Sequence, residues 1–184
     1  HVVLAAGWHS LGILPAAHQP TARQPDGAPA ATGVKGQAAL MAARLDPAAP
    51  VIQAGGLFIV PHAGGRVAVG ATSEKQWTAP DPDAALDALI AGARALAPAL
   101  RDAPVIARWA GIRPKAPGRE PLVGPLPGAP RLLLATGGYK VGFGIAHLVG
   151  DALAALIAGD PAAPALPPDF APAAHGLCAP TGRI

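Results

Sequence analysis

Residues 132–144 read LLLATGGYKVGFG, and an apolar helical pattern continues from them to Ala158. The apolar run predicts a buried strand over Arg131–Thr136, which the pair Gly137-Gly138 ends. A helix is predicted from about Gly142 to Ala158, with its apolar side chains on one stripe. A strand, a glycine loop and a helix in this order are typical of an α/β layer.

The loop before this helix has two interpretations. Glycines let the backbone approach a ligand closely, and a helix N-terminus offers N–H groups and partial positive charge. Such an end can bind a phosphate, or it can face the pyrimidine edge of a flavin, where negative charge builds up on reduction. The glycines can equally serve close packing of the helix on its strand. The loop is not a GxGxxG motif, because Gly142-Phe143-Gly144 is followed by Ile145-Ala146-His147. This segment alone therefore does not decide between the two.

The remaining elements fall into two kinds. A short buried strand over His1–Ala6 ends at Gly7, and residues 11–32 are rich in Pro and Gly and predict a loop. The middle of the chain predicts an antiparallel meander with one helix, over Asp81–Leu100. Its predicted strands are Val34–Met41, Val51–Gln53, Gly56–Pro61, Arg66–Ala71 and Val105–Ala110. The first and last strands of the chain belong to an α/β layer, and they are predicted to need sheet partners that this chain does not contain.

Charge and hydropathy argue against two classes of function. The net charge is +3 and the pI is near 9.5, but the basic residues are spread along the chain and no aromatic ladder interleaves them. A nucleic-acid interface is therefore not predicted. No uncharged run is long enough to span a bilayer. A protein without a membrane span, in the cytoplasm, is predicted.

No constellation of side chains indicates a catalytic dyad or a metal site. Cys178 is the single cysteine and is interpreted as an incidental thiol. Glu74 and Glu120 are interpreted as surface or hinge residues. Five histidines show no pairing with carboxylates at ligand spacing, so they predict no metal site. They are His9, His18, His62, His147 and His175.

Four further stretches extend the pattern around residues 132–144. They read HVVLAAGWHS at 1–10, VKGQ at 34–37, FIVPHAGGRVAVGATSE at 58–74 and WAGIRPKAPGREPLVGP at 109–125. Each is weak alone. In this order and spacing, the five stretches resemble the glycine oxidase and D-amino-acid oxidase-like family of FAD-dependent enzymes. The resemblance covers about residues 1–160, and the ordered match carries it rather than the glycine content.

The resemblance implies the fold class α/β plus α+β. An incomplete FAD-binding Rossmann-like layer would stand beside a substrate domain with a mainly antiparallel sheet and one helix. Residues 1–33 would be a strand and loop of the FAD-binding domain, and residues 34–125 the substrate-binding domain. Residues 126–160 would return to the FAD-binding domain as its last strand, loop and helix. Residues 161–184, rich in Pro and Ala, predict a disordered tail.

The resemblance also implies FAD as the cofactor and places its contacts. The implied FAD contacts are Ala6 and Gly7 after the first strand, and Gly137, Gly138, Tyr139, Lys140, Val141, Gly142, Phe143 and Gly144 in the last loop. Where the family often has His and Arg in that loop, this chain has Gly138 and Lys140. The substrate is therefore not assumed to be glycine.

Four residues are implied to contact the substrate. Arg113 would hold the substrate carboxylate, since a planar guanidinium fork matches a carboxylate bidentately. Its alternative role is a surface salt bridge. Lys140 would add positive charge as a point rather than a fork. Phe58 and Tyr139 would wall the site, and each is nearly as well explained by ordinary packing.

The implied reaction is oxidation of a small amine or amino acid, with hydride transfer from the C–N carbon to the flavin. Dioxygen or another acceptor would reoxidise the flavin. The chemistry would be the cofactor's, so the resemblance assigns no catalytic side chain. The glycine-rich βαβ unit that grips the ADP end in this family is not found in the sequence. The chain is therefore interpreted as a C-terminal fragment that alone is inactive and binds FAD weakly or not at all. Two alternatives are a non-catalytic module for small carboxylates and a subunit that completes a split FAD site.

Overall fold

The computed structural model describes residues 1–14, 18, 32–177 and 179. The chain forms two compact units. Unit 1 comprises His1–Gly33 and Arg113–Ile184, and unit 2 comprises Val34–Ile112. Cys178 and most of the predicted loop over 11–32 lie outside the described residues, so their interpretation stays a prediction.

Eight strands and three α-helices carry the fold over the described residues. In chain order they are β1 (Val2–Leu4), α1 (Ser10–Ile13), β2 (Thr32–Ala42), β3 (Ile52–Ala54), β4 (Leu57–His62), β5 (Arg66–Gly70), α2 (Ala84–Leu96), β6 (Val105–Lys115), β7 (Leu122–Leu126), β8 (Ala129–Thr136) and α3 (Gly142–Ala158). Short 3-10 turns occupy Gly7–His9, Pro98–Leu100, Pro168–Phe170 and Pro172–His175.

Unit 2 is built on a five-stranded sheet in the order β3-β4-β5-β2-β6. The pairs β3–β4, β4–β5 and β2–β5 are antiparallel, which confirms the predicted meander. Side chains alternate across a strand, so Val67 and Val69 of β5 point to one face and are fully buried there. They pack with Leu86 and Ile90 of α2 in one apolar core. The predicted helix over Asp81–Leu100 is shorter in the structure, because α2 ends at Leu96 and Pro98 begins a 3-10 turn.

A buried polar cluster ties three segments of unit 2 together. Lys35 and Gln37 of β2 are 1 % and 0 % exposed. The Lys35 ammonium donates to Asp83 Oδ2 at 2.5 Å, and Gln37 Nε2 donates to Asp83 Oδ1 at 2.7 Å and to Glu74 Oε1 at 2.9 Å. The interpretation of Glu74 as a surface or hinge residue is therefore wrong. A buried ammonium needs paired carboxylates, and Glu74 supplies one at 3.7 Å.

Unit 1 is built on a three-stranded sheet in the order β1-β8-β7. β1 runs parallel to β8, with Val3 opposite Leu133, and β7 runs antiparallel to β8. The leucines of β8 alternate between two faces. Leu134 packs in one apolar cluster with Leu122 of β7, whereas Leu133 packs in the other with Leu153 of α3. This sheet and α3 form the predicted α/β layer. The first and last strands pair with each other, so the prediction that they need partners outside this chain is wrong.

The division of the chain differs from the predicted one at two places. β7 at Leu122–Leu126 pairs with β8, so the boundary between the units falls at residue 113 rather than 126. The tail prediction is wrong for residues 161–177, which fold against the sheet. Leu166 and Phe170 pack against the Leu133 cluster, and Leu177 is fully buried in the Leu134 cluster. These few apolar anchors order a segment whose composition indicates disorder.

Candidate functional site

The loop between β8 and α3 is a tight turn that glycines make possible. Gly137 has φ +75°, and a Cβ there would stand 2.8 Å from the Cβ of Ala116. A Cβ on Gly138 would stand 2.6 Å from the Cα of Gly142, because the loop folds back on the helix start. The N–H groups of Val141 and Gly142 both donate to the Gly138 carbonyl at 2.8 Å. Close approach of backbone to backbone therefore requires glycine at both positions.

The N-terminus of α3 lies open at this loop. Val141 occupies the N-cap position without a side-chain cap, and the first turn contains no acidic residue. The partial positive charge of the helix end is therefore not offset by a carboxylate of the helix itself. At the C-terminus of α3, Gly159 is the C-cap in the left-handed conformation, with φ +69°.

The loop is fastened to the end of β6, where Arg113 lies. The N–H of Tyr139 donates to the Pro114 carbonyl at 2.9 Å, and Lys115 forms an antiparallel bridge with Gly138. Arg113 precedes Pro114 directly and is half-buried. The structure thus brings together two segments that are some two dozen residues apart in the sequence, the RPK stretch and the glycine loop.

Tyr139 and Lys140 form the tip of the loop. Tyr139 has φ +42°, an uncommon conformation for a residue with a side chain. The Lys140 ammonium lies 5.6 Å from the centre of the Tyr139 ring, within the range of a cation–π contact. Strained backbone of this kind is often found at ligand sites, where the surrounding structure holds it in place.

The end of β1 reaches the same loop. Gly7 has φ +60°, and its carbonyl accepts a hydrogen bond of 2.7 Å from the hydroxyl of Thr136. Ala6 directly precedes Gly7. The predicted cofactor contacts at 6–7 and 137–144 therefore lie at one end of unit 1.

A cavity of about 670 Å³ opens beside these residues, between β1, the other two strands and α3. Its lining at the loop end includes Gly7, Gly138, Tyr139, Gly142 and Phe143. Apolar residues in and beside β1, β7, β8 and α3 line the rest. They include Val3, Ala5, Ile145, Val149, Leu153 and Ile157.

The glycine-lined end fits a flat ring system. A Cβ built on Gly7, Gly142 or Gly144 would meet nothing within 4 Å, so open space lies next to the backbone at all three positions. An apolar slot that ends at a helix N-terminus suits the isoalloxazine of FAD, which is planar and carries negative charge on one edge when reduced. The residues present are thus compatible with the flavin part of the cofactor.

Several lining residues were not singled out from the sequence. Pro114 and Pro121 line the cavity, and Thr136 fixes the Gly7 carbonyl. The apolar stripe of α3 was predicted from its periodicity, and Ile145 and Val149 of this stripe face the cavity. Periodicity identifies a buried face without telling a core from a ligand slot, so no sequence signal separates the two.

Phe58 is the one predicted site residue that belongs to unit 2. It lies on β4 opposite Gly70 and is 37 % exposed. Its role as a wall of the substrate site stays a prediction. Among the described residues, no group of three or more His, Cys, Asp or Glu side chains could hold a metal ion. No helix in the described part of the chain is long and apolar enough to cross a membrane.

The sequence of this chain matches a known protein family. The family described as FAD dependent oxidoreductase matches residues 1–156. The chain belongs to this family.

Individual members of the family are similar at moderate identity. A glycine oxidase of Pseudomonas aeruginosa is 36 % identical over 127 residues, which are 68 % of this chain and 35 % of the relative. A glycine oxidase of Pseudomonas putida is 39 % identical over 114 residues, or 61 % of this chain and 31 % of the relative. The chain thus spans about a third of the length of the curated relatives it matches.

Solved structures agree in fold. The glycine oxidase of Geobacillus kaustophilus superimposes with a TM-score of 0.67 and 30 % identity, over 77 % of this chain and 39 % of that one. The iminodiacetate oxidase of Chelativorans sp. BNC1 gives a TM-score of 0.71 over 99 % of this chain and 47 % of that one. At 23 % identity, the second likeness concerns the fold alone. These neighbours confirm the predicted fold class, a mixed α/β chain with a mainly antiparallel sheet and few helices.

Proposed function

We propose that this chain supplies the flavin-facing loop and the carboxylate-binding arginine of an enzyme that oxidises a small amine or amino acid with FAD. The observation that carries the proposal is the hydrogen bond of 2.9 Å from Tyr139 N–H to the Pro114 carbonyl. It joins the glycine loop to the strand end that presents Arg113. A substrate held by Arg113 would then lie beside the ring system that the loop faces.

Arg113 is the residue proposed to bind the substrate carboxylate. Its guanidinium offers a planar fork of donors that pairs bidentately with a carboxylate, and such pairs fix orientation as well as contributing affinity. Pro114 directly after it restrains the backbone, because proline fixes its own φ and limits the residue before it. Lys140 would add a second positive charge, on the loop tip against the Tyr139 ring.

The loop and helix end are proposed to hold the isoalloxazine of FAD. When bound, the flavin supplies the acceptor for a hydride from the C–N carbon, and dioxygen or another acceptor then restores it. The protein's own part is to position and to shield. The N-terminus of α3 stabilises negative charge beside it, and the apolar lining formed by residues such as Ile145 and Val149 excludes water. No side-chain acid or base is assigned.

The substrate is proposed only as a class. The similar proteins named glycine oxidase resemble this chain at about a third identity, and Gly138 and Lys140 stand where the family often has His and Arg. A lysine presents a compact point charge and pairs less directionally than the planar fork of an arginine, so the substrate preference is expected to differ from that of a glycine-selective site. Amino acids of D configuration, glycine and N-substituted glycines are the candidates to assay.

The test is steady-state kinetics of the flavin-loaded enzyme that contains this chain. Arg113→Ala is expected to raise KM at least tenfold for amines that carry a carboxylate, since a charge-assisted hydrogen bond contributes about 1.5–3 kcal/mol. KM for an amine without a carboxylate should stay the same. Arg131→Ala, at an exposed position of β8, is the matched control and should change neither. An unchanged KM in Arg113→Ala would contradict the assignment.

A further inference from the structure

The C-terminal segment 161–177 wraps around the free edge of the unit 1 sheet. It lies beyond residues 1–156, which carry the family match. Leu166 and Phe170 pack with Leu133 on one face of the sheet, and Leu177 packs with Leu134 on the other. Consecutive residues of a strand point to opposite faces, so the segment passes from one face to the other. It does so around β7, the edge strand of the order β1-β8-β7. We call residues 161–177 the strap.

His175 is the buried polar residue of the strap. It is 4 % exposed, and its Nε2 lies 3.2 Å from the Pro121 carbonyl. The carbonyl can only accept, so Nε2 must carry the proton and donate. The other ring nitrogen, Nδ1, has no hydrogen-bond partner among the described residues. The ring lies under the turn between β6 and β7, since a Cβ built on Gly118 would stand 3.8 Å from the His175 ring.

The turn that His175 supports rests directly on the glycine loop. Pro121 itself lines the cavity. A Cβ on Gly137 would stand 2.8 Å from the Cβ of Ala116 and 3.1 Å from the Leu122 nitrogen, so both ends of the turn touch this glycine. Interiors packed this closely transmit displacement instead of absorbing it. A movement of Pro121 would therefore move the loop that carries Tyr139.

We propose that His175 is a positioning residue of the site. Its Nε2–H fixes Pro121 and the 116–121 turn, and through them the glycine loop relative to Arg113. It acts through Pro121 and does not touch substrate or cofactor. The consequence for substrate binding rests on the proposed function, whereas the effect on the loop does not.

Two substitutions separate the role of the Nε2 hydrogen-bond donor from that of the volume of the buried side chain. In His175→Gln the side-chain amide nitrogen falls near the position of Nε2, and in His175→Asn it falls near Nδ1. The readout is the hydrogen-exchange rate of the Tyr139 amide, which bonds to Pro114. Exchange should rise about tenfold in His175→Asn and stay close to the wild-type rate in His175→Gln, because local opening follows the loss of one supporting hydrogen bond. Equal rates in the two variants would overturn the proposal.

Leu126→Ala is the control for a general loss of stability. Leu126 is 1 % exposed and lies at the far end of β7 from Pro121. Leu126→Ala should lower the melting temperature of unit 1 without a selective rise in the hydrogen-exchange rate of the Tyr139 amide. The same selective rise in Leu126→Ala would also overturn the proposal.

A measurement on the unchanged protein covers the case in which the variants do not fold. The ¹⁵N chemical shifts of the His175 ring should show a protonated Nε2. An unprotonated Nε2 would contradict the hydrogen bond on which the proposal depends.

In the flavin-loaded enzyme, His175→Asn should raise KM for a carboxylated amine about tenfold and His175→Gln should restore it. If Arg113→Ala leaves that KM unchanged, the proposed function fails while the exchange result still decides the role of His175. If Arg113→Ala raises KM but both His175 variants leave it at the wild-type value, the positioning role is wrong and the proposed function stands.

Discussion

Asp83 has a lowered pKa because of its partners in the polar cluster of unit 2. The Gln37 side-chain hydrogen bond, followed by the Lys35 hydrogen bond and the Ala85 N–H, lowers the pKa of the Asp83 carboxyl from 3.8 to about 2. The same cluster raises the pKa of Lys35 above 10.5, chiefly through the hydrogen bond to Asp83. Asp83 also caps α2, because its side chain accepts from Ala85 N–H.

The sign of the pH dependence follows from these directions. A lowered carboxyl pKa stabilises the folded unit above pH 3.8, and that contribution is lost as the pH falls toward about 2. Asp83→Asn should therefore lower the urea midpoint of unit 2 at pH 7 and flatten its decline between about pH 4 and pH 2. Asp81→Asn, two residues earlier and exposed, is the control and should leave the profile unchanged. A wild-type acid profile in Asp83→Asn would show that the cluster does not depend on this charge.

At the residue scale, the sequence predicts contacts made by backbone better than contacts made by side chains. Gly137 and Gly138 were predicted to serve either ligand approach or close packing, and their close approaches to neighbouring protein atoms explain the glycines by packing. The burial of Lys35 and Gln37 was not predicted, since polar residues in a strand ordinarily face solvent. Their partners Glu74 and Asp83 lie 39 and 48 residues after Lys35, and no local pattern joins them.

At the scale of single elements, the hydrophobic periodicity of α2 predicts its buried face but not how much of its length is buried. The apolar stripe that recurs at helical spacing in this segment includes Leu86, Ile90 and Ala93, and the structure buries all three. It also includes Leu96, which is 44 % exposed in the last turn. The stripe therefore identifies the buried face, but not where along the helix the neighbouring sheet ends.

Leu86→Ala should destabilise unit 2 by about 3 kcal/mol, because it removes a fully buried side chain from a core that cannot collapse around it. Leu96→Ala removes the same atoms from an exposed position and should cost less than about 1 kcal/mol. Chemical denaturation followed by circular dichroism measures both. Equal losses would mean that Leu96 is buried in solution or that Leu86 is not.

Two further elements, β7 and the strap, were not predicted from the sequence as ordered structure. The pattern LVGPL of β7 contains Gly124 and Pro125, which disfavour a strand, and pairing with β8 orders it. The strap is Pro/Ala-rich, and three anchors, Leu166, Phe170 and Leu177, hold it against the sheet. In both cases a tertiary contact overrides the local preference.

At the scale of the whole molecule, β1 is the exposed edge of the unit 1 sheet. Among the described residues it has a single neighbour, β8, and Val2 and Val3 are 64 % and 41 % exposed. A parallel strand with an open apolar edge can pair with another chain. We expect the 184-residue chain to associate through this edge.

Val2→Lys should weaken that association, because a charge on an edge strand opposes pairing. Sedimentation velocity over a range of protein concentrations measures it. Val51→Lys, at a position 54 % exposed in unit 2, carries the same charge change and should leave the association unchanged. If the two variants behave alike, net charge and not the β1 edge controls association.

The measurement that tests the central claim most directly is a titration of the ¹⁵N-labelled chain with FAD up to millimolar concentration. NMR detects weak binding, so a low affinity of this chain for FAD does not prevent the test. The claim predicts shifts of the Gly7 amide and of residues 137–144, with the amides of unit 2 unaffected. Shifts spread over unit 2 without shifts at the loop would contradict the assignment of this loop as the flavin site.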